Sequence, residues 1–180
     1  TFNGGDAQTV TSGGSDFYNL TTTGSSTAVT LADAMTIAND LTIASSSSLD
    51  VSGSNYAIGI KGNWSNSATF VDQAGTVTFN GGDAQTVTSG GSDFYNLTTS
   101  TSSTAITISD NTTIANNLTI ASGTTLVTGS NDVTVDALLD IAGSSTVNPG
   151  GKYVLEDATV SGTLTAVSYT HLTLPTKWIV

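Results

Sequence analysis

The residues best suited to chemistry in this sequence are four aspartates that lie close behind pairs of glycines. Asp6 and Asp16 each follow such a pair, the two pairs begin nine residues apart, and the same residues recur as Asp83 and Asp93. Carboxylates on glycine-rich turns at this spacing are typical of β-helices whose turns bind Ca²⁺. These four aspartates are therefore candidate Ca²⁺ ligands.

The surrounding residues depart from the calcium-binding pattern at two positions. The nonapeptide GGxGxDxUx has a glycine at its fourth position and a ligating aspartate at its sixth. Here the fourth position is Ala7 or Asp16, and the sixth is Thr9 or Tyr18. We accordingly expect no cofactor and interpret the four aspartates first as turn residues, with Ca²⁺ binding as the alternative.

Catalysis requires titratable side chains that lie close together, and this sequence spreads them out. Glycoside hydrolysis uses a pair of carboxyl groups, and proton abstraction beside a uronate uses a base. The acidic residues between the copies of the glycine-rich block occur singly, at Asp33, Asp40, Asp50 and Asp72, and the chain has only three Lys or Arg residues. We therefore expect no catalytic residues and no enzymatic activity, with a polysaccharide-active β-helix enzyme as a minor alternative.

The charge balance excludes two classes of partner. Fourteen acidic residues against three basic ones give a formal net charge of −11. Nucleic acids and anionic membranes are recognised mainly through Lys and Arg, so neither is an expected partner. No apolar run approaches the ~18 residues that a membrane span requires, and the chain has no Cys to form disulfides.

A long internal repeat dominates the sequence. The block TFNGGDAQTVTSGGSDFYNLTT occupies residues 1–22 and recurs unchanged at 78–99, and residues 1–49 match 78–126 at 38 of 49 positions. Apart from Asp6 and Asp16, it is rich in Gly, Thr, Ser, Asn and aromatic residues, and it shows no nucleophile paired with a base. Recent duplication of one structural unit, which spans 1–77 in its first copy, therefore explains the identity better than a chemically constrained site.

Within each repeat the sequence has short triplets of apolar, Thr, apolar residues, such as Leu41-Thr42-Ile43. Alternation with period two predicts short β-strands whose aliphatic residues face inward and whose central Thr faces outward. The links are too short for helices, so we predict an all-β fold, a right-handed parallel β-solenoid with roughly 20 to 25 residues per turn. A string of β-sandwiches, one per repeat, is the alternative. The predicted inward residues are Val29, Leu31, Ile37, Leu41 and Ile43, with their counterparts Ile106, Ile108, Ile114, Leu118 and Ile120.

The string GNWSNSATFVDQAGTVTFNGGDAQTV, followed by FYNLTT and the V-T-L and L-T-I triplets, resembles a known class of repeat. It is similar to the β-strand repeats of large bacterial surface proteins, such as filamentous-haemagglutinin-like adhesins and autotransporter passengers. The resemblance covers residues 1 to 135 or so and implies an extracellular or cell-surface location. It also implies partners that are neighbouring repeats of the same chain and host or matrix glycans or proteins.

The last residues do not follow the repeat pattern. The decapeptide VSYTHLTLPT at 167–176 resembles an in-frame translation of a transposase sequencing adapter. We therefore expect residues 167–180 to be non-native, and the chain to be a fragment of a longer protein. The remaining residues are predicted to form one solenoid, with a first repeat at 1–77, a second at 78–150 and a partial turn at 151–166.

These observations together predict a structural or adhesive repeat segment that binds through an extended surface and not through a pocket. The alternatives are a Ca²⁺-dependent binding module, the enzyme considered above and an ice-binding solenoid. The last is suggested by the TVT strings at 9–11, 76–78 and 86–88, although their spacing is irregular.

Overall fold

A computed structural model describes residues 1–25, 27–100, 105–149, 151, 153–161 and 163–164. These residues form twenty β-strands and no helix. The predicted non-native tail, 167–180, lies outside the described residues. The first ten strands are β1 (Gln8–Val10), β2 (Leu20–Thr22), β3 (Thr27–Leu31), β4 (Met35–Ile37), β5 (Leu41–Ile43), β6 (Ser47–Asp50), β7 (Ile58–Ile60), β8 (Trp64–Asn66), β9 (Thr69–Val71) and β10 (Thr76–Phe79). The others are β11 (Gln85–Thr88), β12 (Asn96–Thr99), β13 (Ala105–Ile108), β14 (Thr112–Ile114), β15 (Leu118–Ile120), β16 (Thr125–Gly129), β17 (Val133–Ile141), β18 (Thr146–Pro149), β19 (Tyr153–Val160) and β20 (Thr163–Leu164).

The strands coil into a parallel β-solenoid of about seven turns with three faces, which confirms the predicted fold class. All strand pairs between turns are parallel, and the chain visits the first, second and third face in a fixed order. The eight strands of the third face define eight stacked layers. The first face consists of β1, β3, β6, β9, Phe94, β14 and the first halves of β17 and β19. The second face consists of Phe17, β4, β7, β10, β12, β15 and the second halves of β17 and β19. The third face consists of β2, β5, β8, β11, β13, β16, β18 and β20.

One turn takes about as many residues as the sequence predicts. From β1 to β17, residues in register lie between 19 apart, as for Ile58 and Val77, and 23 apart, as for Trp64 and Val87. Neighbouring parallel strands are about 4.8 Å apart, which sets the rise per turn.

The core runs along the axis and is built from the alternation within each strand. Every one of the ten predicted inward residues is buried, whereas Thr30, Thr36 and Thr42 are only half-buried on the outside. Three residues suffice for a strand because the next layer, and not the strand itself, supplies its hydrogen-bond partners.

The duplicated block does not return to the same face. After β1 the chain passes through eleven positions on the faces up to and including β11. These are the ten strands β2 to β11 and the isolated bridge at Phe17. Since each turn has three positions, this is three turns and two thirds. The second copy of every element is therefore moved by one face, and the period of the structure is the single turn and not the duplicated unit.

The first face is interrupted in the fifth layer. Its four-stranded sheet ends at β9, and the next position is taken by Phe94, which makes a single bridge to Ile114. Behind this interruption three rings pack together: Trp64 lies 4.8 Å from Phe70 and 5.2 Å from Phe94, centroid to centroid. Aromatic packing thus fills the core where the ladder is incomplete.

The burial of alternate residues predicts that substitutions at neighbouring positions of one strand have very different effects on stability. Leu41 is fully buried between Leu20 and Trp64 of the adjoining layers, so Leu41→Ala should lower the free energy of unfolding by about 2–5 kcal/mol. The matched control Thr42→Ala, on the outer side of the same strand, should cost about 1 kcal/mol or less. Urea unfolding followed by circular dichroism measures both, and equal losses would contradict the assignment of inner and outer sides.

Candidate functional site

The structure places the four candidate Ca²⁺ ligands far apart on the corners. Asp6 precedes the first face in layer 1, Asp93 precedes the same face in layer 5, and Asp16 and Asp83 lie on the other two corners. All four are exposed. Among the residues that the structure describes, no group of three or more acidic or imidazole side chains is close enough to hold a metal. The nine-residue spacing does not bring these carboxylates together, because residues stacked on successive layers, such as Gln8 and Val29, lie more than twice as far apart in sequence.

Among the residues that the structure describes, Asp16 has an ionic partner. Asp16 Oδ2 lies 3.6 Å from Nζ of Lys61, and both side chains are about half exposed, at 51% and 46%. The two residues are well separated in sequence, but they lie on the outside of the second face in layers 1 and 3. The pair crosses the layer between them, which holds Thr36.

A further aspartate, Asp33, caps the glycine corner of the layer below. Its carboxylate accepts hydrogen bonds from the backbone N–H groups of Ser12 and Gly13, both at 2.8 Å, and from the Ser12 hydroxyl at 3.0 Å. These bonds, that from the Ser12 backbone first, hold the pKa of Asp33 below its ordinary value. The corner itself needs glycine, since Gly13 and Gly14 have φ of 61° and 79°.

The same cap recurs in the second copy on a different corner. Asp110 accepts from the Ser89 and Gly90 backbone at 2.8 and 2.7 Å and from the Ser89 hydroxyl at 3.1 Å. Asp33 lies between the first and second faces, whereas Asp110 lies between the third and first. The local sequence and its hydrogen bonds to the next layer therefore determine the geometry of this corner, and the position of the corner among the three faces does not change it.

Asparagine side chains form a ladder along the corner between the second and third faces. Asn39 donates to Asn19 Oδ1 at 2.9 Å, and that oxygen also accepts from the Asp40 N–H at 3.0 Å. Asp40 in turn accepts from the backbone of Asn63 at 2.8 Å, and Asn63 Oδ1 accepts from the Thr86 N–H at 2.8 Å. The ladder thus joins four layers.

Amide side chains also bond between layers on other corners. Asn55 is on the corner between the first and second faces, where its Oδ1 accepts from the Ala74 N–H at 3.0 Å. In the second copy the ladder is rebuilt one face away: Asn116 donates to Asn96 Oδ1 at 2.9 Å. Amide ladders are therefore a general device of these corners.

The duplicated block meets different neighbours in its second position. Asp93, the counterpart of Asp16, lies near Asp72. Partial burial, and secondarily the charge of Asp93, raise the pKa of Asp72. The same aspartate of the duplicated block therefore lies near a lysine in the first copy and near another aspartate in the second.

The outer Thr residues form single rows and not a two-column grid. The three TVT strings lie on three different faces, in β1, β10 and β11. On the second face one outward row runs through Thr36, Gly59, Thr78, Thr98 and Thr119. These faces present hydroxyl groups with few charges.

Comparison with known protein families, with curated proteins and with solved structures finds no match for this chain. Within the described ranges, no helix has the length and hydropathy that crossing a bilayer would require.

Sequence reasoning named Asp33 only as a singly occurring acid and did not connect Lys61 with Asp16. A signal for the cap is present, because Ser-Gly-Gly precedes an aspartate by the length of one turn in both copies. No comparable signal marks the ion pair, since Lys61 has no equivalent after the second copy of the block.

Removing either corner cap should have the same effect. Asp33→Ala and Asp110→Ala each leave two backbone N–H groups without their acceptor, so both should lower the midpoint of thermal unfolding, and by similar amounts. Because the folded pKa of Asp33 is lowered, its stabilisation is present above its ordinary pKa and is lost as the pH falls through the folded value. Thermal melts of both variants at several pH values check this; an effect confined to one copy contradicts the equivalence of the corners.

Neutralising Asp72 should stabilise the protein. Its raised folded pKa means that the charged form is disfavoured by folding, so Asp72→Asn should melt at a higher temperature than the wild type at pH 7. The advantage should shrink as the pH falls through the folded pKa of Asp72, since the wild-type carboxyl then becomes neutral as well. The control Asp16→Asn, which removes the partner of Lys61, should give no such gain.

Proposed function

We propose that this chain is a structural and adhesive repeat segment of a large secreted or cell-surface bacterial protein. In this proposal it acts without catalysis, as a stiff rod that contacts its partners through its outer faces. The partners are neighbouring repeats of the same chain and host or matrix glycans or proteins, and the location is extracellular.

The observation that carries this proposal is the use of polar side chains at the corners. Asp33, Asp110, Asn19, Asn63 and Asn96 each form hydrogen bonds to an adjoining layer. Bonds between successive layers resist bending and separation of the turns, which is what a spacer requires. The same pattern of bonds occurs in both copies, so additional repeats would extend the rod with the same corner interactions.

The outer faces support contact over an extended area. They carry rows of Thr and Ser hydroxyls, which donate and accept hydrogen bonds without a strong charge. The aspartates that would define a Ca²⁺ module lie far apart on the corners, and no observation favours that function over the rod.

Adding one repeat should lengthen the rod by a defined amount. A copy of residues 1–77 fused before Thr1 recreates the native junction, since Val77 is followed by Thr-Phe-Asn in both cases. Three turns and two thirds at about 4.8 Å per turn predict an increase of about 18 Å in the maximum dimension. Small-angle X-ray scattering measures this. An unchanged cross-sectional radius is expected, and a thicker particle with little added length would contradict the proposal.

A further inference from the structure

The two copies of the 22-residue block differ in what lies beneath them. In the second copy, β11 and β12 pair with β8 and β10 of the layer below, and Phe94 packs on the ring of Phe70 in β9. In the first copy, within the part of the chain that the structure describes, β1 and Phe17 pair only with the layer above, and Phe2 alone bridges to the lower edge of β2. The lower end of the solenoid, formed by β1, Phe17 and β2, is thus an open edge.

Identical residues are buried less at the lower end than in the second copy. Phe94 is 1% exposed, whereas its counterpart Phe17 is only half-buried. Gln85 is likewise 1% exposed, whereas Gln8 is half-buried. Because the two blocks have the same sequence, the layer below the second copy accounts for the difference. The second copy therefore shows how the lower end looks when a chain segment covers it.

Gln8 has an unpaired polar atom at the lower end, whereas its counterpart is bonded at both ends of the amide. Nε2 of Gln85 donates to the backbone carbonyls of Ile60 at 3.1 Å and Gly62 at 2.6 Å, both in the layer below. Its Oε1 accepts from the Gly81 N–H at 3.1 Å. Among the described residues, Oε1 of Gln8 is buried and has no hydrogen-bond partner. Since an unpaired buried polar atom costs free energy, a segment that supplies the same carbonyls would let Gln8 adopt the bonded arrangement of Gln85.

A glycine at the lower end leaves room for such a segment. In the second copy, a Cβ at Gly81 would collide with the Lys61 carbonyl oxygen, so this close approach requires glycine. In the first copy, the atoms nearest to a Cβ at Gly4 belong to the flexible Gln8 side chain. The free lower end can therefore accept a side chain at Gly4 that the covered form cannot.

Aromatic packing indicates which side chains the partner must supply. The rings of Trp64 and Phe70 lie 5.2 and 5.8 Å from that of Phe94, centroid to centroid. Phe17 takes the place of Phe94 at the lower end. A partner with an indole and a phenyl ring at these two positions would bury Phe17 as Phe94 is buried.

We propose that the lower end binds, by strand addition, a segment of another copy of the repeat with the sequence of residues 58–77, IGIKGNWSNSATFVDQAGTV. The segment would bind in the register that it has beneath the second copy, with its Trp64 paired to Val10 and its Val77 paired to Leu20. The proposal rests on the function proposed above, in which neighbouring repeats are partners of one another. It deepens that function by naming the surface, the register and the partner segment.

The test uses a fluorescently labelled peptide of residues 58–77 and the full chain. Fluorescence anisotropy should show binding to the wild type. A peptide with Trp64→Ala should bind at least about tenfold more weakly, because it lacks the indole that packs on the aromatic cluster. A peptide of the same composition in scrambled order should not bind.

Two neighbouring glycines of the chain give a matched pair of variants. Gly4→Ala should weaken peptide binding by at least about tenfold, because its Cβ collides with the peptide backbone as one at Gly81 would with Lys61. It should leave the melting temperature of the chain unchanged, since the Gln8 side chain can move. Gly5→Ala should leave binding unchanged, because a Cβ at Gly82, its counterpart in the covered copy, meets no described atom within 4 Å.

A fusion places the same segment in the same chain. Residues 58–77 joined before Thr1 recreate the native junction of Val77 with Thr-Phe-Asn. The fusion should melt at a higher temperature than the parent chain. Gly4→Ala, which is neutral in the parent, should lower the melting temperature of the fusion, whereas Gly5→Ala should not.

The outcomes separate this proposal from the function on which it rests. Peptide binding that survives Gly4→Ala, or that falls equally with Gly5→Ala, overturns the assigned surface and register. Absence of peptide binding overturns capture of a separate segment, while a fusion sensitive to Gly4→Ala still supports stacking of repeats within one chain. A fusion insensitive to Gly4→Ala contradicts both. Self-association of the wild type with which the peptide does not compete would assign the lower end to a different part of a second copy and overturn the proposed segment.

Discussion

The parallel ladder between successive turns is the interaction on which the rest of this structure depends. A strand of three residues cannot be stable alone, so each strand takes its backbone partners from an adjoining layer, and most strands are paired on both sides. Holding the ladder in register places an apolar residue over an apolar residue, as with Leu20, Leu41 and Trp64 on the third face. A shift by one residue would turn each of them to solvent.

The corners follow the same rule of contact with the next layer. Asp33 and Asp110 cap the same glycine corner with nearly the same distances, although one lies between the first and second faces and the other between the third and first. Even a buried hydroxyl contact is duplicated, since Thr22 with Ser47 has its counterpart in Thr99 with Thr124. Because all these partners are supplied by the adjoining layer, a duplicated segment can move by one face and keep its local structure.

The outer surface differs from the corners, because outward-facing side chains do not keep the same neighbours in the two copies. Side chains that point outward meet residues one or two layers away, and these lie in parts of the repeat that have diverged. Asp16 therefore lies 3.6 Å from Lys61, whereas its counterpart Asp93 lies near Asp72. A rod built from nearly identical repeats can in this way carry a binding surface on one face without repeating it on every face.

The sequence by itself determined the strands and their inner sides, because the alternation of Leu41, Thr42 and Ile43 is local and fixes which residue faces the core. It also indicated the length of a turn. It did not determine the face on which each element lies, since that depends on the sum of all the corner lengths over several turns. The proximity of Asp16 to Lys61 and of Asp72 to Asp93 was therefore decided only by the tertiary structure, in which a rotation of one third of a turn per repeat determines the neighbours.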